Sequence, residues 1–589
     1  MKKILKNYYV PIIFLLSCIT LLIRSFYSFC WSDETFYFAT AHRFFQGDSI
    51  FLHDWFPTQL SSVILLPIYA LYVTITGSTT GVILFFRILY VIFETVSGVV
   101  VYRIIKPRAT RQIALICALF TMFYTHLNIA TLSYYTISVH CFLLAFLILY
   151  HYYQTKNSHY LIIAGSVFAI SVLALPTMAV AYILVMTAVA ILLLLERVPL
   201  IKRTLSPLYR NAEFIKVCGF TLIGILIPAV IFLIFLLCNV SLKDFVAAIP
   251  YVLSDEEHIT SFIYPLKKFF IGINEVYGIL AYISYILLLI CTVLGLFLRN
   301  YLIQPVKTGI ILLNIALFAG FWMKGYHYTG YMQTALCIFS LVFFLLDAKR
   351  DYRLFLLLFA SGMIFSIVYS YSSNGYLYIL SMGHFIASIG GIIFIYDYFV
   401  HEEIQPAMLL QILSSCVIVA VLLTTITLRI INVYRDAPLT ALTAAITQGP
   451  AKGLHTTTLH KELYDEVYDT LMTYCQSDSN EAGNQTIFIT KLLPFGYMCT
   501  DLKCASPTTW RTALDSKRLQ PYYEINPDRI PDLVLVLNEE YGAYDTCGDV
   551  VSDPIPNANS FEGFLPAYLE EHHYQKMLVP CGTIYQRTN

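Results

Sequence analysis

Two acidic residues stand side by side directly after the first apolar segment of the chain. Asp33 and Glu34 lie in the stretch WSDETFYFATAHRFFQ, which follows the apolar run at residues 9–28. A carboxylate at a membrane surface is partly desolvated, and it can then act as a base on a hydroxyl group. The pattern also fits a plain helix start, because Ser32 is a good N-cap and acidic residues favour the first turn. The pair therefore indicates either general-base chemistry or a capped helix.

The residues after the pair have the composition of a helix that lies along a membrane surface. Its apolar members are Phe36, Ala39, Ala41 and Phe44, and its polar members are Tyr37, Thr40, His42 and Arg43. A helix with both kinds of residue at the end of a membrane span suits the interface between lipid and water. This helix would hold the acidic pair at the level of the lipid headgroups.

Composition places the chain among membrane proteins. Of its 589 residues, 58% are hydrophobic and 13% are charged, whereas soluble proteins carry about 25% charged residues. Apolar runs recur from residue 9 to 427. The 37 basic and 37 acidic residues cancel, so the net charge indicates no partner. The sequence predicts an α-helical polytopic membrane protein with about thirteen spans.

The distribution of basic residues predicts the orientation. With the N-terminus inside and the apolar stretch 60–77 kept outside as an interfacial helix or hairpin, the inside loops hold eighteen basic residues and the outside loops seven. Short loops rich in lysine and arginine remain on the cytoplasmic side. The predicted spans are 9–28, 81–104, 112–128, 137–152, 160–175, 177–195, 217–238, 272–298, 308–323, 330–346, 354–370, 376–397 and 405–427. We therefore expect a plasma (inner) membrane protein with a cytoplasmic N-terminus.

The composition changes at residue 428, so two domains are predicted, 1–427 in the membrane and 428–589 outside it. The second, here called the tail, has a helical pattern at 461–474 and strand patterns at 485–490 and 532–537. We expect a small extracytoplasmic α/β domain. It contains five cysteines, and the CTDLKC segment is the simplest local disulfide, although spacing alone leaves the connectivity open.

Three ordered motifs resemble the C-type glycosyltransferase superfamily. They are WSDETFYFATAHRFFQGD, HDWFPTQL at 53–60, and FFRILYVIFETVSGVVVYRIIKPR at 85–108. The closest parts of that superfamily are bacterial relatives of protein O-mannosyltransferases and the aminoarabinose lipid A transferase. Up to about residue 200 the resemblance rests on sequence motifs, and from 200 to 427 it rests only on the arrangement of spans. The tail resembles no domain to which a chemistry can be assigned.

The resemblance implies a polyprenyl-phosphate sugar as the donor and a lipid, glycan or protein as the acceptor. Asp33 would take the proton of an acceptor hydroxyl while the sugar is transferred with inversion, and Glu34 would orient Asp33 or bind a hydroxyl. Arg87 and then Lys324 are the candidates to bind the donor phosphate, although Arg87 could simply snorkel at a span end. The expected enzyme is a hexosyl- or pentosyltransferase of the cell envelope.

One departure from the resembled pattern concerns a metal. Many relatives have a further acidic residue in the outer turn that reads HLNIATLSYYTIS here, at 126–138. Asp54, Asp255 or Glu256 could replace it, and Glu257 is a further candidate. Because a divalent cation normally binds more than one carboxylate, we expect no cofactor and no metal, with a divalent metal as the less favoured alternative.

Several other polar residues are possible substrate ligands, each with a structural alternative. His53 and Asp54 could instead form a loop turn, and Tyr134 lies in the outer turn 126–138. His327 could line an acceptor groove or belong to the aromatic belt. Glu94, seven residues from Arg87 on the same helical face, lies inside a predicted span, where a carboxylate needs a partner or a function.

Two other classes of function remain open at this stage. A transporter or flippase of lipid-linked sugars would explain many spans, but such proteins usually have paired repeats and charges at the membrane midplane. A lipid-linked polysaccharide polymerase or ligase would use the same donor with a different acceptor. No pattern indicates a nucleic-acid partner.

Overall fold

The structure is a computed structural model that describes residues 2–195, 211–253, 263–297, 303–373, 377–402, 407–476, 485–490, 492–510, 518–538, 541 and 563–588. Its helices are α1 (Lys2–Arg24), α2 (Asp33–Phe45), α3 (Gln59–Thr76), α4 (Val82–Ile105), α5 (Arg111–Phe123), α6 (Tyr134–Thr155), α7 (His159–Ala174), α8 (Met178–Leu195), α9 (Asn211–Asn239), α10 (Leu242–Leu253), α11 (Tyr264–Tyr277), α12 (Ile279–Phe297), α13 (Gln304–Gly325), α14 (Thr329–Leu346), α15 (Tyr352–Tyr369), α16 (Leu377–His401), α17 (Ala407–Ile431), α18 (Thr458–Tyr474), α19 (Leu519–Ile525) and α20 (Phe564–Glu571).

The predicted fold class is confirmed. Among the described residues, ten helices are long and apolar enough to cross a membrane, and four shorter helices are also apolar. Without α3, thirteen of these helices remain, which is the number of spans expected from the sequence. Many side chains on them, such as Leu16 and Ile231, are exposed on the outer surface of the bundle, as the lipid-facing side of a membrane protein requires.

The tail contains a small sheet of the predicted kind. Its strands are β1 (Ala444–Ala445), β2 (His455–Thr456), β3 (Thr486–Ile489), β4 (Lys503–Cys504), β5 (Leu533–Leu537), β6 (Gln575–Val579) and β7 (Gly582–Gln586). The five-stranded sheet has the order β4-β3-β5-β7-β6. The pairs β4–β3 and β3–β5 are parallel, and β5–β7 and β7–β6 are antiparallel. The helix and both strands predicted for the tail are therefore confirmed, in β3, β5 and α18.

Helix α3 shows why a stretch of membrane length need not cross the membrane. Before α3, the Trp55 amide donates to the Pro507 carbonyl of the tail at 2.7 Å, and after it the Thr79 hydroxyl donates to the Met498 carbonyl at 2.7 Å. A helix of 18 residues is about 27 Å long, so a crossing helix could not contact the tail at both ends. This geometry supports the prediction that 60–77 stays on the tail side.

The end of α1 and the end of α17 lie on the same face as the tail. Arg24 donates from Nη2 to the Asn432 carbonyl at 2.8 Å, and the Ser28 amide donates to the His455 carbonyl at 2.9 Å. The opposite ends of the spans carry other ion pairs, such as Arg108–Asp397 at 2.5 Å and Lys307–Glu402 at 2.6 Å. The two ends of the bundle are thus distinct, and which of them faces the cytoplasm stays a prediction.

Thiol labelling tests this arrangement. We expect cysteines placed at Ser78 and Asp501 to react with a membrane-impermeant reagent from the same side of sealed vesicles, because both positions are exposed on the tail side. A cysteine at Arg103, exposed at the other end of α4, should react only after the vesicles are opened. Labelling of Ser78 and Asp501 from opposite sides would contradict the placement of α3.

Candidate active site

Asp33 begins α2 on the tail side of the bundle. Its Oδ2 accepts a short hydrogen bond from the Tyr434 hydroxyl and forms an ion pair with Arg435 Nη1 at 3.0 Å. The side chain is 15% exposed, so the carboxylate is accessible. Burial raises the pKa of Tyr434, and the Asp33 carboxylate raises it further, so the Tyr434 hydroxyl keeps its proton and donates it.

The capping role expected for Ser32 is not observed. Ser32 occupies the N-cap position of α2, but its side chain makes no capping hydrogen bond to the helix. Its hydroxyl instead accepts from Arg435 Nη1 at 2.8 Å. The serine thereby helps to hold the guanidinium beside Asp33. The capped-helix alternative for the acidic pair is correspondingly weakened.

Tyr434 and Arg435 were missed by the sequence analysis. They lie directly after α17, in the segment NVYRDAP, about 400 residues from Asp33 in sequence. A basic residue at the tail-side end of the last span was the available signal. Arg435 has a backbone φ of 48°, in the left-handed region that is uncommon for residues other than glycine. Its guanidinium lies over the ring of Trp510 of the tail at 6.0 Å.

A cavity of about 560 Å³ opens beside these residues at the tail-side ends of α5, α14, α16 and α17. Its polar lining includes Tyr124, Asn128, His327, Ser381, Tyr434 and Arg435. Apolar side chains such as Leu127 and Leu428 complete the wall. The cavity therefore combines a guanidinium and hydroxyls with an apolar side at the level where the spans end. Arg435 and Tyr434 contact Asp33 and line the cavity at once.

Glu34 and Arg87 form a buried ion pair next to Asp33. Arg87 Nε and Nη2 each donate to one carboxylate oxygen of Glu34 at 2.5 Å. The other guanidinium hydrogens are directed at the Ser25 and Tyr27 carbonyls and the Ser28 hydroxyl. Arg87 thus binds protein oxygens with every N–H group, so this geometry does not favour the donor-phosphate role that the sequence predicted for it.

Glu94 forms an ion pair with an arginine of the last long helix, α17. Its carboxylate is fully buried and lies 3.3 Å from Nη2 of Arg429 in α17. The Arg429 guanidinium also lies over the ring of Tyr90 at 5.8 Å. Arg87, which lies on the same face of α4, is instead bound to Glu34. Glu94 therefore joins α4 to α17, which favours a structural role for it. A direct contact between Glu94 and the substrate stays a prediction.

The remaining predicted residues of the bundle are distributed unevenly around the cavity. His327 lines it, whereas Lys324 is exposed at the end of α13 and is absent from the described lining. The ring of Tyr134 lies 5.7 Å from that of Tyr37 and 3.8 Å from that of Tyr135. Burial raises the pKa of Tyr37, and Asp33 raises it further. Tyr134 thus belongs to an aromatic group that borders Asp33. Asp255 and Glu256 lie outside the described residues.

His53 and Asp54 belong to a buried ionic cluster that joins the segment between α2 and α3 to the tail. Arg43 binds Asp48 at 2.7 Å, Asp54 at 3.3 Å and the His53 carbonyl, and Arg529 of the tail binds Asp48 at 2.7 Å. Burial raises the pKa of Asp54 to about 6. Burial acts in the same direction on Asp48, but Arg43 and Arg529 outweigh it and lower the pKa. Asp48 contacts the tail through Arg529, and Asp54 is held in the same cluster through Arg43.

A pH dependence follows from His42 in α2. Its Nδ1 lies 2.9 Å from the Tyr69 hydroxyl, and burial lowers its pKa from 6.5 to about 4. As the pH falls, the imidazole of His42 takes up a proton in the unfolded chain before it does so in the folded protein. The contribution of His42 to folding stability is therefore fully present above pH 6.5 and is lost as the pH falls towards 4. At pH 5 we expect His42 to lower the free energy of unfolding by about 2 kcal/mol relative to neutral pH. Unfolding curves at pH 7.5 and 5 should therefore diverge less for His42→Asn than for the wild type. An equal loss in both would contradict this.

The two cysteines of the CTDLKC segment form no disulfide. Cys499 and Cys504, the pair expected in CTDLKC, are free, with their thiols directed at the carbonyls of Phe495 and Ser506. The predicted local disulfide is therefore wrong, while Cys547 lies outside the described residues. Across the described ranges, no group of three or more histidine, cysteine, aspartate or glutamate side chains could hold a metal ion. Metal dependence stays a prediction.

Comparisons with known proteins give distant structural neighbours. No family model matches the sequence, and no curated protein matches it. The crystal structure of the Archaeoglobus fulgidus oligosaccharyltransferase tethered to an acceptor peptide with the NVT sequon has 10% identity and a TM-score of 0.41, over 90% of this chain and 69% of that chain. A second neighbour is the archaeal oligosaccharyltransferase AglB from Archaeoglobus fulgidus, in complex with an inhibitory peptide and a dolichol-phosphate. It has 12% identity and a TM-score of 0.45, over 99% of this chain and 75% of that chain. Both scores are below 0.5, so the function proposed below depends on the residues of this chain.

Proposed function

We propose that this protein is a membrane glycosyltransferase that moves a sugar from a polyprenyl-phosphate donor to an acceptor hydroxyl on the tail side of the membrane. The observation that carries the proposal is the position of Asp33, an accessible carboxylate beside a cavity at the ends of the spans. Arg435 links the two, because it contacts Asp33 and lines the cavity. A carboxylate and a guanidinium that lie next to each other at the ends of the spans support a base beside a phosphate site.

The proposed reaction needs one base and one anion site. Asp33 takes the proton from the acceptor hydroxyl, and the oxygen forms a bond to the anomeric carbon. The bond from that carbon to the phosphate oxygen breaks on the opposite side, so the configuration inverts and polyprenyl phosphate leaves with the electron pair. The proton on Asp33 then passes to water, which restores the carboxylate.

Arg435 takes over the phosphate role that the sequence gave to Arg87. Its guanidinium is 25% exposed and lines the cavity, whereas Arg87 is buried against Glu34. Guanidinium groups bind phosphate through paired hydrogen bonds. His327 and the hydroxyls of Tyr124 and Ser381 are placed to contact the sugar or its phosphate. Glu34 and Arg87 act as positioning residues for the start of α2.

The apolar wall of the cavity favours a lipid-linked donor over a soluble sugar nucleotide. Leu127, Leu428 and Ile431 face the cavity from the ends of α5 and α17. The first isoprene units of a prenyl chain would contact these side chains, while the phosphate meets Arg435. A nucleotide has no comparable apolar segment next to its phosphates.

A transfer assay tests the proposal. The purified protein is reconstituted in vesicles with a labelled polyprenyl-phosphate sugar and a panel of hydroxyl acceptors. We expect the label to move to an acceptor while polyprenyl phosphate is released in equal amount. If the intact donor instead moved to the other leaflet with no release of polyprenyl phosphate, the protein would be a flippase and the proposal would fail.

A further inference from the structure

Arg24 occupies an unusual position at the tail-side end of α1. It is 5% exposed, and it donates from Nε to the Ile430 carbonyl at 3.1 Å, from Nη1 to the Tyr27 carbonyl at 2.8 Å and from Nη2 to the Asn432 carbonyl at 2.8 Å. Two of these carbonyls belong to the end of α17. Arg24 therefore links the first and last spans through uncharged oxygens.

The neighbouring arginines each have a carboxylate in direct contact, whereas Glu34 and Asp436 act on Arg24 only from a greater distance. Arg87 pairs with Glu34, and Arg429 pairs with Glu94. Within the part of the chain that the structure describes, no carboxylate lies within 4 Å of the Arg24 guanidinium. Carbonyls at a helix C-terminus supply only about half a negative charge, and a buried charge without a carboxylate in direct contact is costly. An anion from outside the chain would remove this cost.

A groove lies directly beside Arg24. It has a volume of about 430 Å³ and is lined by Thr20, Ile23, Arg24, Tyr27, Ile430 and Leu439, together with Thr440. Ile23 is 58% exposed on the outer surface of the bundle, so the groove faces the lipid. The active-site cavity is lined by other residues of α17, among them Leu428 and Ile431. The two openings therefore lie on different sides of the end of α17.

A second, apolar groove lies on the same helix. It has a volume of about 580 Å³ and is lined by α17 residues that include Ile412, Cys416, Val419 and Leu423. Leu423 and Ile430 are seven residues apart, which places them on one helical face. From Val419 to Ile430 the helix rises about 16 Å, a length that suits an acyl chain. A cation thus lies at the polar end of an apolar track.

We propose that this surface is a binding site for an anionic phospholipid, with Arg24 at its phosphate and the face of α17 from Ile412 to Ile430 under an acyl chain. The occupant is a bilayer phospholipid, because the groove opens to the lipid and is separate from the cavity next to Asp33. Binding would neutralise Arg24 and fasten α1 to α17. The same segment, through the Ser25 and Tyr27 carbonyls, holds Arg87.

Thermal unfolding in vesicles of defined composition tests the site. The wild type and Arg24→Gln are compared in phosphatidylcholine alone, with added phosphatidylglycerol, with added polyprenyl phosphate, and with inorganic phosphate in the buffer. We expect phosphatidylglycerol to raise the wild-type Tm by about 3–5 °C and to leave that of Arg24→Gln unchanged. Lys243→Gln, which removes an exposed lysine in α10, should keep the full shift.

A second variant covers the case in which Arg24→Gln does not fold. Thr440 is exposed at the edge of the groove, so Thr440→Phe would fill the groove while the Arg24 hydrogen bonds remain. We expect native mass spectrometry to find at least about tenfold less retained phosphatidylglycerol on this variant than on the wild type. Equal retention, an equal shift in Arg24→Gln, or a shift given only by polyprenyl phosphate or free phosphate would overturn the proposal.

Discussion

Asp33→Asn should lower the rate of sugar transfer by about 10²- to 10⁴-fold, the usual contribution of a general base. The asparagine oxygen can still accept hydrogen bonds from Tyr434 and Arg435, so the fold of the site should persist. Transfer is measured with the reconstituted protein and a labelled polyprenyl-phosphate sugar. Unfolding temperature and lipid insertion are measured on the same samples, so that a loss of activity is separated from a loss of structure.

Asp501→Asn is the matched control for this experiment. Asp501 is an exposed carboxylate of the tail, and the same change there should alter neither transfer nor stability. Transfer by Asp33→Asn at the wild-type rate would contradict the assignment of Asp33 as the base.

Separating Glu34 from Arg87 should lower the free energy of unfolding by about 3–5 kcal/mol, because either single substitution leaves a buried charge without its partner. Glu34→Gln and Arg87→Gln are compared with the double variant by chemical denaturation in detergent. The double variant should lose less than the two single variants added together, since it leaves neither charge alone. Both side chains are buried, with 1% exposure for Arg87 and 3% for Glu34.

Arg103→Gln is the control for the ion pair, since Arg103 lies in the same helix, α4, but is exposed. It should change stability by less than about 0.5 kcal/mol. The comparison also separates the two roles considered for Arg87. If Arg87→Gln kept wild-type stability while the KM for the donor rose, Arg87 would be a donor ligand and the internal role seen in the structure would be incorrect.

The sequence by itself determined the features that depend on local composition. The apolar helices of the described residues, the change of composition at 428 and the strands of the tail all follow from hydropathy and residue alternation, and the prediction that 60–77 stays on one side follows from the basic residues. The acidic pair at Asp33 was visible for the same reason, because it interrupts an apolar pattern at the end of a span. Such signals need only neighbouring residues.

Only the tertiary structure decided which charges meet. Asp33 contacts Tyr434, 401 residues away, and Glu94 contacts Arg429, 335 residues away. Arg87 was expected from the resemblance to bind the donor phosphate, whereas in the structure its guanidinium contacts Glu34. The physical reason is that the sequence does not specify which span ends become neighbours in the folded bundle. These groups meet because α1, α4 and α17 pack side by side.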